Sequence, residues 1–475
     1  MRGEHMRLII GGAGRVGIAL AKALASEKYD LVIVDHDSRA VANAQSLDCL
    51  VVHGNITSRE TLLEAGIQNA AVFVAATPSD ESNLIACSIA EHANSNKDGK
   101  DGLTSICRLR DTSFVGEYKE GYLQEWANVD HIVNPLHGAI RRLNAGLRST
   151  DIEEVISFEH NAFVLEFDIG ESARNIVGRP LRDVKEDFVH GLPNIVGVKR
   201  DGMKSFIPND DSVLEPGDRI AVAVVDVDQF NPALITFGHE VSYFPEEPRV
   251  VIVGASSIGT KMAQDWLDHG ATVTVLEREL HLANQLAGSK IGGHPKMEVI
   301  HGDHLDRSIL EEISIDQYDV ALSALDGDHA NIAAVLMMSD LGVPHTGLML
   351  YDADLVKVTQ RMGISFAVDR HRVAVNNMLT YIHQSLSGHY ALLAEIPNVV
   401  GITLQVTERA KFAGKTLAEA QLPDWMAPAF IKRMSLDGSW ESLRPDAEQL
   451  LLENDRMVVF CLKDRVADAQ KKFKV

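Results

Sequence analysis

The sequence has few cysteines and no long apolar run. Its four cysteines, Cys49, Cys87, Cys107 and Cys461, are far apart and form no Cys-x-x-Cys pair. This spacing argues against a disulfide framework or a zinc site and favours a reducing cytoplasm. Cys107 lies in an apolar run and is expected to be buried. No segment approaches the ~18 consecutive apolar residues that a membrane span requires, and no signal peptide is expected.

Positive charge is also scarce. The chain has 45 Lys and Arg residues against 67 Asp and Glu residues, which gives a formal net charge of −22. Proteins that bind nucleic acid concentrate basic residues on one face, and anionic lipid surfaces attract basic segments. The composition therefore argues against a general nucleic-acid binder and against direct adsorption to a membrane. The length predicts roughly three or four domains.

A glycine turn near the amino end carries the strongest signal. The apolar strand 7–11 leads into a Gly-x-Gly-x-x-Gly motif formed by Gly12, Gly14 and Gly17, which enclose Arg15 and Val16. In such a motif the first glycine permits a tight turn and the second lets the backbone approach a pyrophosphate. The third lets the following helix pack closely on the strand. The free amides at the start of that helix bind the phosphates.

Residues at the ends of the next strands complete the predicted site. Asp35 ends the second strand, where a carboxylate accepts hydrogen bonds from a ribose hydroxyl pair and repels a 2′-phosphate, so NAD(H) is favoured over NADP(H). His36 adjoins Asp35. Asn55 and Ile56 follow the third strand, where Asn55 is placed to meet an adenine edge, and Thr77 ends the fourth strand. The alternative is a glycine turn in an α/β domain without a ligand.

The spacing of apolar runs predicts the domains. From residue 6 to about 134, short apolar strands alternate with helices, which is typical of a doubly wound parallel sheet. The helix 135–147 has an apolar stripe that is normally core, but its position after the last strand would also let it pack on a partner subunit. Around residue 150 the pattern changes to short strands separated by Gly and Pro, which predicts a small β-rich α+β domain.

The same order then repeats with an offset of about 240 residues. We therefore predict two doubly wound domains, 1–148 and 247–388, each followed by a small β-rich domain, 149–240 and 389–475. In the second half Ser256 replaces the middle glycine and narrows the room for phosphate, although its hydroxyl has the chemistry to donate to one. The predicted second site consists of Gly254, Ser256, Ser257, Ile258, Gly259, Glu277 and Asp303.

These features resemble the TrkA-type regulators of bacterial and archaeal potassium uptake, which carry paired RCK (or KTN) domains. The resemblance covers essentially the whole chain. It rests on the glycine turn 12–17, Asp35, the run His53-Gly54-Asn55, the turn 77–83, and the Gly-x-Pro-Leu and Pro-Gly-Asp signatures of the small domain. It implies two Rossmann-like RCK_N domains, each followed by an RCK_C domain.

The resemblance also implies a function. Such proteins are cytosolic, non-enzymatic assemblies that bind NAD(H), or in related proteins ATP or ADP, and dock under a membrane potassium-transport subunit of the TrkH or KtrB type. Peripheral attachment at the inner face of the cell membrane and self-association into a dimer or a tetramer ring follow. Asn55 departs from the Asp usual at its position, so the resemblance supports an adenine contact there less strongly than it supports the other site residues.

Two polar positions have alternative interpretations. Arg108 resembles the family arginine that reaches phosphate, but a salt bridge with the nearby helix is at least as good an interpretation. Asp80 could be catalytic, but we favour a helix cap, in which its carboxylate accepts hydrogen bonds from free amides. In the second half Met349 and Tyr351 occupy the positions of Arg108 and Arg110. The second site is therefore expected to bind more weakly, to prefer NAD(H) or AMP, or to be empty.

The sequence offers little support for an enzyme. A nicotinamide dehydrogenase needs a His, Lys or Tyr that moves the substrate proton. No obvious His-plus-acid constellation follows either nucleotide-binding domain, and no Tyr-x-x-x-Lys motif follows the fourth strand. The closest histidine cluster, His294, His301 and His304, is spaced poorly for a metal site and is interpreted as loop histidines. The competing interpretations are an NAD-dependent oxidoreductase with an unrecognised substrate and a scaffold that assembles without ligand.

Overall fold

Four β-sheets organise the chain. The computed structural model describes residues 6–25, 29–94, 102–111, 113–148, 151–158, 161–188, 191–241, 243–382, 390–408, 410, 412–435 and 438–473. Two of the sheets are parallel and six-stranded, and each is followed along the chain by an antiparallel sheet, of four strands in the first half and five in the second. The predicted fold class, two doubly wound sheets each followed by a β-rich domain, is confirmed.

The first parallel sheet has the strand order β3-β2-β1-β4-β5-β6. Its strands are β1 (Met6–Gly11), β2 (Tyr29–Asp35), β3 (Leu50–His53), β4 (Ala70–Ala75), β5 (Thr104–Arg108) and β6 (His131–Val133). Its helices are α1 (Arg15–Leu24), α2 (Ser38–Ala44), α3 (Arg59–Glu64), α4 (Asp80–Ala93), α5 (Ser113–Lys119), α6 (Tyr122–Ala127) and α7 (Pro135–Gly146). The order reverses between β1 and β4, which opens a crevice at the carboxyl ends of these strands. The short strand β6 was not predicted.

The sheet that follows is antiparallel, with the order β7-β8-β10-β9. It consists of β7 (Glu154–Ser157), β8 (Ala162–Asp168), β9 (Asn194–Lys199) and β10 (Arg219–Val225), with helices α8 (Leu181–Glu186) and α9 (Phe230–Thr236). Outside these strands, Phe206 forms an isolated bridge with Val198. These elements and the first parallel sheet make up the first half of the chain.

The second half repeats both sheets. Its parallel sheet has the order β13-β12-β11-β14-β15-β16. The elements are β11 (Arg249–Val253), α10 (Ser257–Asp268), β12 (Thr272–Glu277), α11 (Leu280–Ala287), β13 (Met297–His301), α12 (Arg307–Glu312), β14 (Val320–Ser323), α13 (Asp328–Asp340), β15 (His345–Leu350), α14 (Ala353–Arg361), β16 (Phe366–Asp369) and α15 (Arg370–Ile382). The strand order equals that of the first parallel sheet, so a second crevice opens at the equivalent place.

The last sheet has the order β17-β18-β21-β19-β20. Its elements are β17 (Tyr390–Leu392), β18 (Val399–Gln405), β19 (Met426–Met434), β20 (Trp440–Leu443), β21 (Arg456–Leu462) and α16 (Val466–Phe473). It packs against the antiparallel sheet of the first half, where the ring centroid of Phe158 lies 5.6 Å from that of Phe430 and 6.3 Å from that of Phe460. None of the helices in the described ranges is long and apolar enough to cross a membrane.

The two halves exchange helices. Helix α7 leaves the first parallel sheet and packs on the second, where a Cβ added at Gly347 would lie 2.9 Å from both Leu143 and Leu147. Helix α15 leaves the second sheet and packs on α1 and α7, so that Met378 and Leu379 share a core with Leu8. The apolar stripe on α7 therefore leaves its domain, as one interpretation of the sequence allowed, but it packs on the other half of the same chain.

A buried carboxylate joins the small sheet of the first half to the second half. Glu166 on β8 is fully buried and accepts hydrogen bonds from the backbone amides of Ala394 (2.7 Å) and Glu395 (2.8 Å). Burial and the neighbouring Glu154 raise the pKa of Glu166 from its usual 4.5 to about 7, against the opposing effect of the two amides and of Arg372. Its protonation state therefore changes close to neutral pH.

The contact between α7 and β16 leaves no room for a methyl group. A Cβ at Gly146 would overlap the ring of the buried Phe366. We expect Gly146→Ala to lower the free energy of unfolding by about 1–3 kcal/mol because it overpacks this core. Gly116→Ala is the matched control, since a Cβ at Gly116 in α5 meets no atom within 4 Å and should stabilise the helix by about 0.5–1 kcal/mol. Guanidinium unfolding measures both; equal effects would contradict the packing argument.

The buried Glu166 should make stability depend on pH. In the folded chain Glu166 keeps its proton up to about pH 7, whereas in the unfolded chain it loses the proton near its usual pKa of 4.5. The free energy of unfolding should therefore fall as pH rises between these two values. The loss attributable to Glu166 is roughly 3 kcal/mol. Glu166→Gln cannot ionise and should show a flatter profile when unfolding midpoints are compared across this range. A wild type and a variant with identical pH profiles would refute the assignment.

Candidate functional site

The glycine turn after β1 has the geometry that the motif predicts. Gly12 has a φ of +115°, a conformation that residues with a side chain rarely adopt. A Cβ at Gly17 would overlap the carbonyl oxygen of Gly12, so α1 packs directly on the turn. The side chain of Val16 is buried in the core. The turn thus brings the backbone at the start of α1 to the crevice between β1 and β4.

The start of α1 has no side-chain partner for its free amides. Gly14 is the N-terminal cap residue, and the first turn contains no acidic residue. A Cβ at Gly14 would find no atom within 4 Å, so the space in front of these amides is open. Exposed amides and the positive end of the helix dipole together form an anion-binding site. We call this crevice, from the turn 12–17 to the ends of β2 and β4, the first cleft.

The carboxylate of Asp35 fixes the position of the glycine turn. Its Oδ2 accepts a hydrogen bond from the amide of Ala13 (2.6 Å), and its Oδ1 accepts one from the amide of Asp37 (2.8 Å). Each oxygen retains a second lone pair, which is what a ribose hydroxyl pair requires. The exposed His36 lies next to it, with Nδ1 3.5 Å from Oδ1 of Asp35.

The two predicted site residues that follow β3, Asn55 and Ile56, differ from each other in their surroundings. The exposed Asn55 accepts hydrogen bonds through Oδ1 from the amide (3.0 Å) and the hydroxyl (2.9 Å) of Thr57. Its Nδ2 group has no hydrogen bond to the rest of the described chain, so a donor is available to a ligand. Ile56 is buried beside Gly11 at the end of β1. The side chain of Ile56 therefore belongs to the core, and only Asn55 of this pair presents a polar group.

Asn83 joins the ends of β4 and β5. This fully buried amide accepts hydrogen bonds from the backbone amide (3.0 Å) and the hydroxyl (2.6 Å) of Thr77, and it donates to the carbonyl of Arg108 (2.9 Å). The hydroxyl of Thr77 is thereby occupied within the protein. Thr77 follows β4 beside Gly12 of the glycine turn, and its hydroxyl serves to order this edge of the cleft.

The interpretation of Asp80 as a helix cap is wrong. Ser79 caps α4, because its side chain accepts a hydrogen bond from the amide of Ser82. The carboxylate of Asp80 accepts hydrogen bonds from the amides of Arg110 (3.0 Å) and Asp111 (2.9 Å), which lie in the loop after β5. Asp80 therefore holds that loop against the start of α4. The sequence could not show this because the bonded residues lie far along the chain.

Arg108 has no salt bridge to any residue of the described ranges. The interpretation of Arg108 as a salt-bridge partner of the nearby helix is therefore wrong. Its side chain is buried, and its Nε has no hydrogen-bond partner. Burial, Arg110 and Arg370 all lower the pKa of Arg108. Arg370 begins α15 and therefore comes from the second half, and its buried Nε also lacks a partner. The two halves thus bring guanidinium groups together, and although Asp80 acts in the opposite direction on Arg108, the two buried Nε groups without partners favour an anion.

The first cleft borders the second half. Arg15 of the glycine turn donates a hydrogen bond to the carbonyl of Tyr351 (3.3 Å) and pairs with Asp352 at 3.2 Å. The guanidinium of Arg370 stacks on the Tyr351 ring at 4.4 Å and bonds its hydroxyl. Sequence analysis missed Arg370 and the place of Tyr351, because both reach the first cleft only through the contact between the halves.

The second crevice has the same turn but a different helix start. Gly254 has a φ of +102°, and a Cβ at Gly259 would overlap the carbonyl of Gly254. Ser256 takes the place of Gly14, donates its hydroxyl to the carbonyl of Ala324 (2.9 Å) and accepts a hydrogen bond from the amide of Gly259 (3.3 Å). The serine therefore caps α10, and its hydroxyl does not have the freedom to donate to a phosphate that we expected. Ser257 is exposed and Ile258 half-buried.

The remaining residues of the second crevice repeat the first without its positive charge. Glu277 accepts hydrogen bonds from the amides of Ala255 (2.6 Å) and Glu279 (2.7 Å), as Asp35 does in the first half. Asp303 accepts one from the amide of Leu305 (2.9 Å). Asp328 binds the amides of Tyr351 and Asp352, which matches the role of Asp80 and confirms that Tyr351 corresponds to Arg110. The buried Met349 accordingly replaces Arg108.

Comparison with known protein families agrees with this duplicated architecture. The family model of the TrkA-N domain matches residues 8–135 and 250–369, just over half of the 475 residues. The model of the TrkA-C domain matches residues 164–228. The two TrkA-N matches contain the two parallel sheets, and the TrkA-C match lies in the small antiparallel sheet of the first half.

Individual proteins are similar over nearly the full length. The Trk system potassium uptake protein TrkA of Azorhizobium caulinodans is 26% identical over 475 residues, with 99% of each chain covered. The TrkA homolog 1 of Methanosarcina mazei is 27% identical over 480 residues, covering 99% of this chain and all of that one. Among solved structures, the GsuK RCK domain covers 99% of this chain and 96% of its own, with a TM-score of 0.52 and 18% identity. The GsuK channel bound to NAD covers all of this chain and 79% of its own, with a TM-score of 0.53 and 18% identity.

Proposed function

This chain belongs to the TrkA-N domain family, and we propose that it is the cytosolic nucleotide-sensing regulatory subunit of a potassium uptake system. In this role it binds NAD(H), or ATP or ADP, in the first cleft and gates a membrane potassium-transport subunit. The observation that carries the proposal is the uncapped start of α1 behind the open space at Gly14, next to the carboxylate of Asp35. An adenosine diphosphate group requires these two elements, an anion-binding helix start and a ribose acceptor.

The buried arginines support a ligand that carries phosphate. Arg108 and Arg370 each keep a buried Nε without a partner, and Arg110 adds a third positive charge. Such charges are costly to bury unless an anion compensates them. Phosphate groups on the start of α1 are the natural source of that compensation. NAD(H), ATP and ADP all provide such phosphate groups. The proposal is therefore defined by the pyrophosphate and not by the nicotinamide or any other group that is attached to it.

The contact between the halves supports a regulatory mechanism. Arg15 from the glycine turn bonds Tyr351 and Asp352, and Arg370 approaches Arg108, so a ligand in the first cleft lies beside groups from both halves. A ligand shifts the angle between two domains only if it binds one arrangement more tightly than the other. Compensation of Arg108 and Arg370 by one anion would favour the arrangement in which the halves are close.

The second crevice is proposed to contribute less to sensing. Ser256 occupies the place of Gly14 and caps α10, and Met349 replaces Arg108. Its carboxylates, Glu277 and Asp303, are still placed to meet a ribose and an adenine. Such a site suits a nucleotide of lower charge, NAD(H) or AMP, at weaker affinity.

The similar proteins support the partner and the assembly that we propose. Relatives covered over nearly their whole length are named as Trk system potassium uptake proteins, and a structure of similar fold is a channel bound to NAD. We therefore propose a partner of the TrkH or KtrB type, self-association into a dimer or tetramer ring, and a position at the inner face of the cell membrane. The alternative is an NAD-dependent oxidoreductase with an unrecognised substrate; oxidation of NADH by the purified chain with a metabolite would favour it.

The first test is a calorimetric titration with NADH, NAD, ATP and ADP. Asp35→Asn removes the charge and one acceptor while it keeps the side-chain shape, so affinity should fall by about 1–3 kcal/mol, or roughly 5- to 150-fold. Glu277→Gln is the matched change in the second crevice and should leave the tighter binding event unaltered. Equal losses in both variants, or no binding by the wild type, would contradict the assignment of the first cleft.

The second test concerns gating. Potassium uptake is measured in cells that depend on this chain and on the transporter subunit of its own organism. Gly14→Ser gives α1 the serine cap that α10 has, so it should block nucleotide binding and reduce uptake about tenfold or more. Ser256→Gly, the reciprocal control, should leave uptake intact. Normal uptake with a Gly14→Ser chain that no longer binds nucleotide would separate nucleotide binding from gating and end this part of the proposal.

A further inference from the structure

A cavity lies between the two exchanged helices, apart from both crevices. It has a volume of about 330 Å³ and is bounded by α7, α15 and residues from the first strands of the two small sheets. None of the residues predicted to bind nucleotide lines it. Its volume falls within the range of roughly 300–1,000 Å³ that is typical of small-molecule sites.

The walls of this cavity are positively charged. His137, Arg141 and Arg142 of α7 line it, and none of the lining residues in the described ranges is acidic. This composition is unusual for a chain with 67 acidic and 45 basic residues. Arg142 has a partner outside the cavity, the buried Glu154, with which it forms an ion pair and a hydrogen bond. Arg141 is half-buried and has no ion pair or hydrogen bond with any described residue.

A buried acceptor without a partner also lines the cavity. Asn376 on α15 is only 9% exposed, and its Oδ1 has no hydrogen bond in the described structure. It lies between this cavity and a neighbouring pocket that Arg15 and Tyr351 line. Further polar groups surround it, since Asn134, Ser157 and Asn377 also line the cavity. A buried carbonyl oxygen without a donor is a rare and costly feature. A cation on one wall and an acceptor on the other together specify a ligand that has a negative charge and a donor group.

We infer that this cavity binds a small organic anion that carries a hydroxyl or amino group. Arg141 pairs with the anionic group, and Oδ1 of Asn376 accepts a hydrogen bond from the donor. The other amide side chains hold the remaining polar atoms of the ligand.

The position of the cavity makes the ligand relevant to the contact between the halves. Helices α7 and α15 touch beside it, where a Cβ at Gly138 would lie 3.2 Å from Val373. A molecule held by Arg141 on one helix and Asn376 on the other favours one crossing of the two helices. If the chain senses nucleotide as proposed, this molecule acts as a second effector, but the site itself does not depend on that function.

The experiment uses the full chain and glycerol 3-phosphate, an anion with two hydroxyl donors, with uncharged glycerol as the comparison. Calorimetry should show binding of glycerol 3-phosphate at millimolar concentrations and none of glycerol. Arg141→Gln should weaken this binding by about tenfold or more, because it removes the charge that pairs with the phosphate. Arg108→Gln, which removes the arginine of the first cleft, should leave the part of the binding that depends on Arg141 unchanged.

Asn376→Asp provides a second variant of the same size, and it should also weaken binding because it places a negative charge in the cavity. The inference is overturned if the wild type shows no binding at millimolar glycerol 3-phosphate. It is also overturned if Arg141→Gln binds as the wild type does, or if the loss follows Arg108→Gln, which would place the anion in the first cleft. Circular dichroism of each variant checks that the fold is retained.

Discussion

Each parallel sheet ends in a helix that buries its apolar stripe in the other half of the chain. Leu143 and Leu147 of α7 lie against Gly347, and Met378 and Leu379 of α15 share a core with Leu8. Because this burial is hydrophobic and fills complementary shapes, the halves cannot separate without exposing two cores at once. The exchange also brings the carboxyl edges of the two sheets near each other. The cluster of Arg108 and Arg370, the contacts of Arg15 and the cavity between α7 and α15 all follow from it.

The duplication kept the backbone of the turn and changed its chemistry. Both turns have a first glycine at positive φ and a last glycine packed on a carbonyl, and both hold the turn with a carboxylate from the second strand. Because both halves share these features, the features alone do not distinguish one crevice from the other. The halves differ at two pairs of equivalent positions. Ser256 takes the place of Gly14, and Met349 takes the place of Arg108. One half offers free amides and buried positive charge, whereas the other has a capped helix and an apolar side chain.

The sequence predicts what local pattern determines. Apolar strands, the glycine turn and the internal repeat are readable because hydrophobic period and backbone conformation act over a few residues. Predictions failed where a contact joins distant residues. Asp80 looks like a helix cap, but its partners are the amides of Arg110 and Asp111. No local signal shows that α7 packs on the second half, or that Arg370 reaches Arg108. The three-residue strand β6 is too short for a period to show.

The cluster of Arg108 and Arg370, which only the first cleft has, explains how ligand binding in that cleft would change the contact with the second half. Burial lowers the pKa of both Arg108 and Arg370, and repulsion between the arginines lowers it further, with Asp80 and Asp328 acting in the opposite direction. Burial also denies these groups the screening that water gives to exposed charges. This repulsion opposes the hydrophobic burial that holds the halves together, so the contact is a balance between two opposing terms. Under the proposed binding of an anion between the guanidinium groups, the repulsion would be removed and the burial would remain, which would shift the balance toward close halves. The second crevice lacks this cluster, so nucleotide there has no comparable repulsion to relieve.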